Sequence, residues 1–422
     1  MKDLKLFLEG FQNRHGLYIL SSTIIARLLS FFASWIALQI VPNFELGLVI
    51  YAFNIISFII PISGFGAYQG LLRYGALLEK EDEKYQLFYY IIKKGSFFSL
   101  LLIALIILIS AFLNIKISQV QPYLIAISFS ILTLFLLESL KVLFRILHKN
   151  KLFAKVEIVY NVLLVILVFL GSYFFKEKGY LIVIVLVPLV TFIIFLSKIK
   201  KPSKHTNAIQ KPNLSFWKYS FFTGLSNVAT QLLIVLDILL IGAILQDPEM
   251  VTIYKYISLI PFSLLFLPRA ILTTDFVNLT HNYKDKSYIN KYIKNYVSLF
   301  SFISFGLILI TFLFTKLILS FFGEEFIYFQ LTFRVLIIGI SSVLILRGLF
   351  GNLLSVIGKA TINYWISIVA IIINIISNYI LIPKYGVLGA AITSAIIMWV
   401  TSILSVLLFY YYYKKIKVSS FD

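Results

Sequence analysis

Residues Lys198–Ser215 read KIKKPSKHTNAIQKPNLS, the longest polar break in the chain, with five lysines and two prolines. On both sides of it the 422-residue sequence is made of long apolar runs. A run of roughly 20 apolar residues crosses about 30 Å of hydrocarbon. Six such runs precede the break and six follow it, near 17–40, 45–70, 90–113, 121–143, 154–175, 180–197, 216–244, 252–277, 293–320, 330–355, 361–382 and 387–412. The expected fold class is an all-α polytopic membrane protein of about 12 transmembrane helices in two pseudo-symmetric six-helix bundles. The expected organisation is an N-terminal bundle over 1–200, a cytoplasmic linker over 201–215 and a C-terminal bundle over 216–422.

Composition supports that class. Hydrophobic residues make up 60% of the chain and charged ones 13%, whereas soluble domains carry about 25% charged residues. The first apolar run has no small-residue cleavage site after it and reads as a retained helix rather than a signal peptide. Lys and Arg gather on the cytoplasmic side of short loops. Of the 37 here, 27 fall in gaps and helix ends placed inside, six outside, and four arginines within apolar runs. Both termini are then expected in the cytoplasm. The net charge of +19 faces anionic lipid headgroups and needs no nucleic-acid partner. The chain has no cysteine, which excludes disulfides, thiolate catalysis and Cys-ligated metals. Its four histidines sit in or near cytoplasmic segments. Without a phosphate loop, zinc helix or nucleophile motif, no cofactor and no enzyme are implied. The outside loops are too short for a catalytic domain.

The halves look duplicated. The end of the first run, VPNFELGLVIYAF (Val41–Phe53), parallels LQDPEMVTIYKYI (Leu245–Ile257), which sets Glu45 and Met250 205 positions apart. Tyr173 and Tyr379 are 206 apart, as are Leu143–Phe144 and Leu349–Phe350. Six helices per half give both halves the same orientation, and parallel repeats of that kind place a substrate site at their interface.

Arg27 is the sharpest single residue. It lies about ten residues into the first run, near the bilayer midplane at 1.5 Å rise per residue. An arginine there costs at least about 2.5–3.5 kcal/mol unless it faces protein, water or an anion. Thr23, Arg27, Ser30 and Ser34 follow helical spacing and share one face. Thr223, Ser226, Thr230 and Asp237 form a second stripe in the seventh run, with Asn227 beside it. Asp237 is the candidate for ion coupling, and a structural carboxylate is the plain alternative. Arg269 and Arg347 lie near the cytoplasmic ends of their runs, where they either face a cavity or snorkel to the interface. Arg334 reads as interfacial, and Glu138 and Lys141 as an interfacial pair. Arginine suits phosphate because its planar fork makes paired charge-assisted hydrogen bonds. Pro61, Gly64, Gly66 and Gly70 in the second run, and Pro261 and Pro268 in the eighth, are expected to bend their helices.

Three segments carry a family resemblance: NIISNYILIPKYGVLGAAITSAI (Asn374–Ile396), LDILLIGAILQDPEMVTIYKYIS (Leu236–Ser258) and RLLSFFASWIALQIVPNFELGLV (Arg27–Val49). They resemble the polysaccharide flippases, the O-antigen and capsule repeat-unit transporters of the multidrug/oligosaccharidyl-lipid/polysaccharide (MOP) superfamily. Met250 and Thr252 depart from that pattern, which favours an acidic residue and Gly there. The resemblance implies a bacterial plasma-membrane flippase with a central cationic cavity. Its cargo would be a polyprenyl-diphosphate-linked oligosaccharide. Arg27 would meet the diphosphate, with Arg269 and Arg347 behind it. Anionic membrane lipids and polysaccharide polymerase or assembly proteins are the further partners implied. The alternatives are a cation-coupled multidrug antiporter of the same superfamily, a lipid II flippase and, further off, a polysaccharide polymerase.

Overall fold

The computed structural model describes residues 16–112, 117, 119–200 and 212–416. Among these the regular structure is helical throughout. The first helices are α1 (Gly16–Ile40), α2 (Asn43–Ser57), α3 (Ala67–Ala76), α4 (Glu81–Phe112), α5 (Val120–Ser128), α6 (Ser130–Ile146), α7 (Asn150–Leu196) and α8 (Leu214–Leu245). They are followed by α9 (Pro248–Ser263), α10 (Phe266–His281), α11 (Lys286–Ser320), α12 (Gln330–Ser342), α13 (Gly348–Val356), α14 (Ala360–Tyr385) and α15 (Val387–Tyr413).

Nine helices among the described residues are long and apolar enough to cross a membrane, and the bent pair of α2 with Ile60–Ala76 makes a tenth span. The remaining two have local causes. α7 has 47 residues, about 70 Å at 1.5 Å per residue, more than twice a bilayer core. Lys176 breaks it with φ 51° and ψ −131°, and Gly179 is pressed against the Gly171 backbone across that break. α7 is therefore two antiparallel spans. α1 supplies the last apolar length. The chain is a multi-pass membrane protein.

Two compact units are present, Ser22–Thr252 and one that includes Ile253–Asp422. Most of the expected linker, up to Lys211, lies outside the described residues. Lipid tails are as apolar as leucine, so small residues and polar contacts, rather than apolar burial, draw helices together in a bilayer. The first unit shows both. The Phe135 ring fills the space left by Gly64 and Gly95, where any Cβ would collide with it. Gly66 and Gly70 lie directly on Ser220 and Gly224 of α8. The chain between α2 and α3 reaches that contact through a break at Ser63–Gly66, where Gly64, Phe65 and Gly66 all have positive φ. Phe65 is held there by a ring stack on Phe221 at 4.7 Å. The Gly64 N–H donates to Ser99 Oγ at 2.9 Å. The bend expected in the second run is this break. The bend in the eighth run falls between α9 and α10, flanked by Pro261 and Pro268. A π-helical turn at Val343–Arg347, between α12 and α13, had no signal in the sequence.

The repeats agree in backbone detail. Val41 N bonds to Ala37 O and Gln246 N to Gly242 O, an offset of 205. Leu46 N to Pro42 O and Val251 N to Asp247 O keep that offset. Contacts at this hairpin are reciprocal: Thr252 Oγ1 donates to Asn43 O at 2.7 Å, while Gly47 lies on Pro248 O. Asn43 and Gly47 correspond to Pro248 and Thr252 at that same spacing, so the two exchange partners as positions related by a two-fold axis do. Thr252 thus has a contact of its own where the family pattern favours Gly. Further along, the offset is 210. Lys149 N bonds to Phe144 O and Lys359 N to Leu354 O, both at 2.8 Å. The turn residues Lys176 (φ 51°, ψ −131°) and Gly386 (φ 57°, ψ −137°) are likewise 210 apart. The offset of 206 drawn from Tyr173/Tyr379 and Leu143/Leu349 is therefore corrected. Those matches are chance likeness between apolar runs, and the second repeat gains five residues between Ile289 and Leu353.

Candidate functional site

On α1, Ala26, Ala33 and Ala37 are buried along one face, and Ile25, Leu28 and Phe32 are exposed along another. Arg27, Ser30 and Ser34 run between these faces. Arg27 is exposed, while Ser30 and Ser34 are half-buried. The side chain of Thr23 lies outside the described residues.

α8 has two faces. One packs on the broken second span through Phe216, Ser220, Phe221 and Gly224. The other lines an open cavity of about 490 Å³ with Ser215, Lys218, Tyr219, Phe222, Thr223 and Ser226. Thr230 continues this face, exposed, with its hydroxyl donating to Ser226 O at 3.2 Å. Two turns further, Asp237 is only 4% exposed. The polar stripe read from the sequence is real as a helix face, open at its Ser215 end and closed over at Asp237.

The first unit also holds a charge cluster that the sequence showed only in part. Lys141 Nζ is 2.7 Å from Glu138 Oε1 on its own helix and 2.7 Å from Glu157 Oε1 on α7. The expected Glu138–Lys141 pair is thus a triad, with one ammonium between two carboxylates.

In the second unit, Arg269 is exposed on α10. Its neighbour Pro268 lies against Gly348, next in the chain to Arg347. The two arginines therefore sit on touching helices. Arg347 does not simply snorkel. Its Nη1 donates to Asn363 Oδ1 at 2.8 Å and to Ser405 Oγ at 2.6 Å, tying α14 and α15 to the π turn. Asn363 is oriented in turn by its own amide, which donates to Gly351 O at 2.7 Å. Tyr296 reaches the same turn, donating to Leu344 O at 3.3 Å. π turns are frequent at functional sites because the extra residue frees backbone groups. Arg334 is an internal clasp, donating to Thr315 Oγ1 at 3.0 Å and Phe312 O at 3.3 Å.

Sequence reasoning missed Asn363, Ser405 and Glu157, which acquire meaning only from their neighbours. It also missed Asp275, 7% exposed, which accepts a hydrogen bond from the Tyr292 hydroxyl at 3.0 Å. A lone acid in FLPRAILTTDFVNLTH was the available signal. Among the described residues, no group of three His, Asp or Glu side chains is placed to hold a metal ion.

No protein-family model and no curated protein sequence matches the chain. Solved structures do match its fold. An inward-facing multidrug resistance MATE family transporter of the MOP superfamily superposes with a TM-score of 0.73 at 14% identity, covering 93% of this chain and 96% of that one. The lipid II flippase MurJ, in an inward closed conformation, gives 0.73 at 19% identity over 95% of this chain and 88% of that one. A MOP-superfamily transporter from Pyrococcus furiosus, whose binding pocket has reversed polarity, gives 0.60 at 13% identity over 93% and 96%. The chain has the fold of these MOP-superfamily transporters.

Proposed function

We propose that this protein is a flippase moving polyprenyl-diphosphate-linked oligosaccharide repeat units across the bacterial plasma membrane. Its product would feed surface polysaccharide such as O-antigen, capsule or exopolysaccharide. In this reading it is a transporter and not an enzyme, needs no cofactor and keeps both termini in the cytoplasm. The observation that carries the proposal is Arg27. It is exposed, sits in an apolar helix, and lies on a face distinct from the exposed Ile25, Leu28 and Phe32. A cation kept at that depth is worth its insertion cost if an anion meets it. A diphosphate matches the guanidinium fork.

Ser30, Ser34, Thr23 and Thr230 would hydrogen-bond the head group, and Arg269 and Arg347 would supply further positive charge. Asp237 would bind the proton or sodium ion whose gradient drives the cycle. The breaks at Ser63–Gly66 and between α9 and α10 are suited to alternating access, because hinge motion needs a few positions that absorb the backbone change. Anionic lipids and polymerase or assembly proteins are its proposed partners.

A cation-coupled multidrug antiporter is the second reading, favoured by the buried carboxylates Asp237 and Asp275. The likeness to MurJ favours lipid II as an alternative cargo. A polymerase has no supporting observation. Complementation of a flippase-null strain tests the proposal: the wild-type chain restores surface polysaccharide, and Arg27→Ala fails at equal expression. Full activity of Arg27→Ala would remove its role. Transport in proteoliposomes that is unchanged in Asp237→Asn would remove gradient coupling at that residue.

A further inference from the structure

The open end of the α8 cavity carries chemistry that the proposed transport path does not use. Lys218 projects from α8 among the hydroxyls of Ser215, Tyr219, Thr223 and Ser226. Arg73, from the last turn of α3, lays its guanidinium over the Tyr219 ring at 4.4 Å. Tyr74 flanks the same guanidinium at 5.9 Å. Arg73 and Lys218 are both exposed. Among the described residues neither has an ion-pair or hydrogen-bond partner. A guanidinium stacked by its face on an aromatic ring keeps its N–H edges free in a fixed plane. α3 and α8 are locked together beside it through Gly70 on Ser220. The two cations are therefore presented by a rigid helix pair, next to donors that suit phosphate oxygens.

We propose that Arg73, Lys218 and the α8 hydroxyls form a docking site for the diphosphate of the lipid-linked cargo. The site lies at the cytoplasmic end of α8, upstream of Arg27. The inference rests on the flippase reading and adds to it an entry station. Charge complementarity selects the occupant: Lys218 and several hydroxyls line the cavity with no carboxylate among them, and Arg73 adds a second cation at its edge, over the ring of the lining residue Tyr219. The basic end of α8, close to the lysine-rich Lys198–Ser215 segment, fits a ligand that arrives from the inner leaflet.

The test measures binding of undecaprenyl diphosphate to the full chain in nanodiscs, with undecaprenol and phosphatidylglycerol as comparisons. The wild type should prefer the diphosphate to undecaprenol. The double variant Arg73→Gln/Lys218→Gln should lose about tenfold in affinity. Tyr219→Ala, which removes both the ring under Arg73 and a hydroxyl, should lose about threefold, and Tyr219→Phe, which removes the hydroxyl alone, should lose less. Both cations are exposed, so the double variant should keep the wild-type melting temperature. Equal binding by wild type and double variant overturns the docking site and leaves the flippase reading standing. Equal competition by phosphatidylglycerol overturns the committed occupant, because the groove would then be a general lipid site. No preference of the wild type for the diphosphate overturns both the docking site and the reading it rests on.

Discussion

Lys141 in the first repeat stands between two carboxylates at 2.7 Å each. Arg347 in the second holds, among the described residues, an amide oxygen and a hydroxyl, at 2.8 and 2.6 Å. The two cations occupy corresponding places. Carried back two residues along α13 from Leu353, the offset of 210 maps Lys141 onto Gly351, and the Arg347 guanidinium lies 3.1 Å from where a Cβ on Gly351 would stand. The backbone has thus been kept, with its local charge inverted. The first cluster is formally −1 and the second +1. An ammonium enclosed by its own counter-ions has no charge to offer a ligand and reads as a clasp. A guanidinium held by neutral acceptors keeps its positive charge, which is what an anion-binding group requires. The same divergence marks the turns: His148 and Lys176 have positive φ where the second repeat places Gly358 and Gly386.

The largest expected effect follows from breaking the clasp. Lys141→Met strands two carboxylates and should cost about 3 kcal/mol, seen as a fall in melting temperature in detergent. Arg347→Met should cost less, about 2 kcal/mol, yet reduce transport more than its stability loss explains. Variants ranked the other way round would undo the contrast. A sharper test inverts the chemistry. Asn363→Asp gives Arg347 an internal counter-ion, so the fold should be retained while transport drops by about tenfold. Unchanged transport would make Arg347 a clasp like Lys141. Glu157→Gln brings the first cluster to neutrality and should cost only about 1 kcal/mol, with transport per folded molecule unaltered. Smallest of all, Lys176→Gly should raise stability by about 1 kcal/mol, because it relieves a backbone conformation that glycine adopts freely.

The apolar spans and the polar faces of α1 and α8 were legible because period and hydropathy are local properties. The bends were legible from Pro and Gly for the same reason. The π turn was not, since nothing in VLILR distinguishes it from ordinary helix. The register of the repeats was read correctly at Glu45/Met250 and wrongly at Tyr173/Tyr379. In apolar runs many tyrosines align by chance, while the feature that fixes the register is a backbone turn occupied by Lys in one copy and Gly in the other. α4 begins at Glu81, well before the apolar run near residue 90, because a helix continues past the hydrocarbon once its polar start EDEKYQ faces water. Glu157 and Asn363 were invisible as site residues because each is a single polar side chain whose partner is on another helix.

The central claim is that a cation held within the membrane exists to meet a diphosphate. The most direct test reconstitutes the purified chain in proteoliposomes and follows movement of an undecaprenyl-diphosphate-linked oligosaccharide between leaflets, for the wild type and Arg27→Ala. The account predicts transport by the wild type and a loss of about tenfold or more in the variant, at equal folded protein. Wild-type vesicles that leave this lipid in place while moving a cationic dye would contradict it.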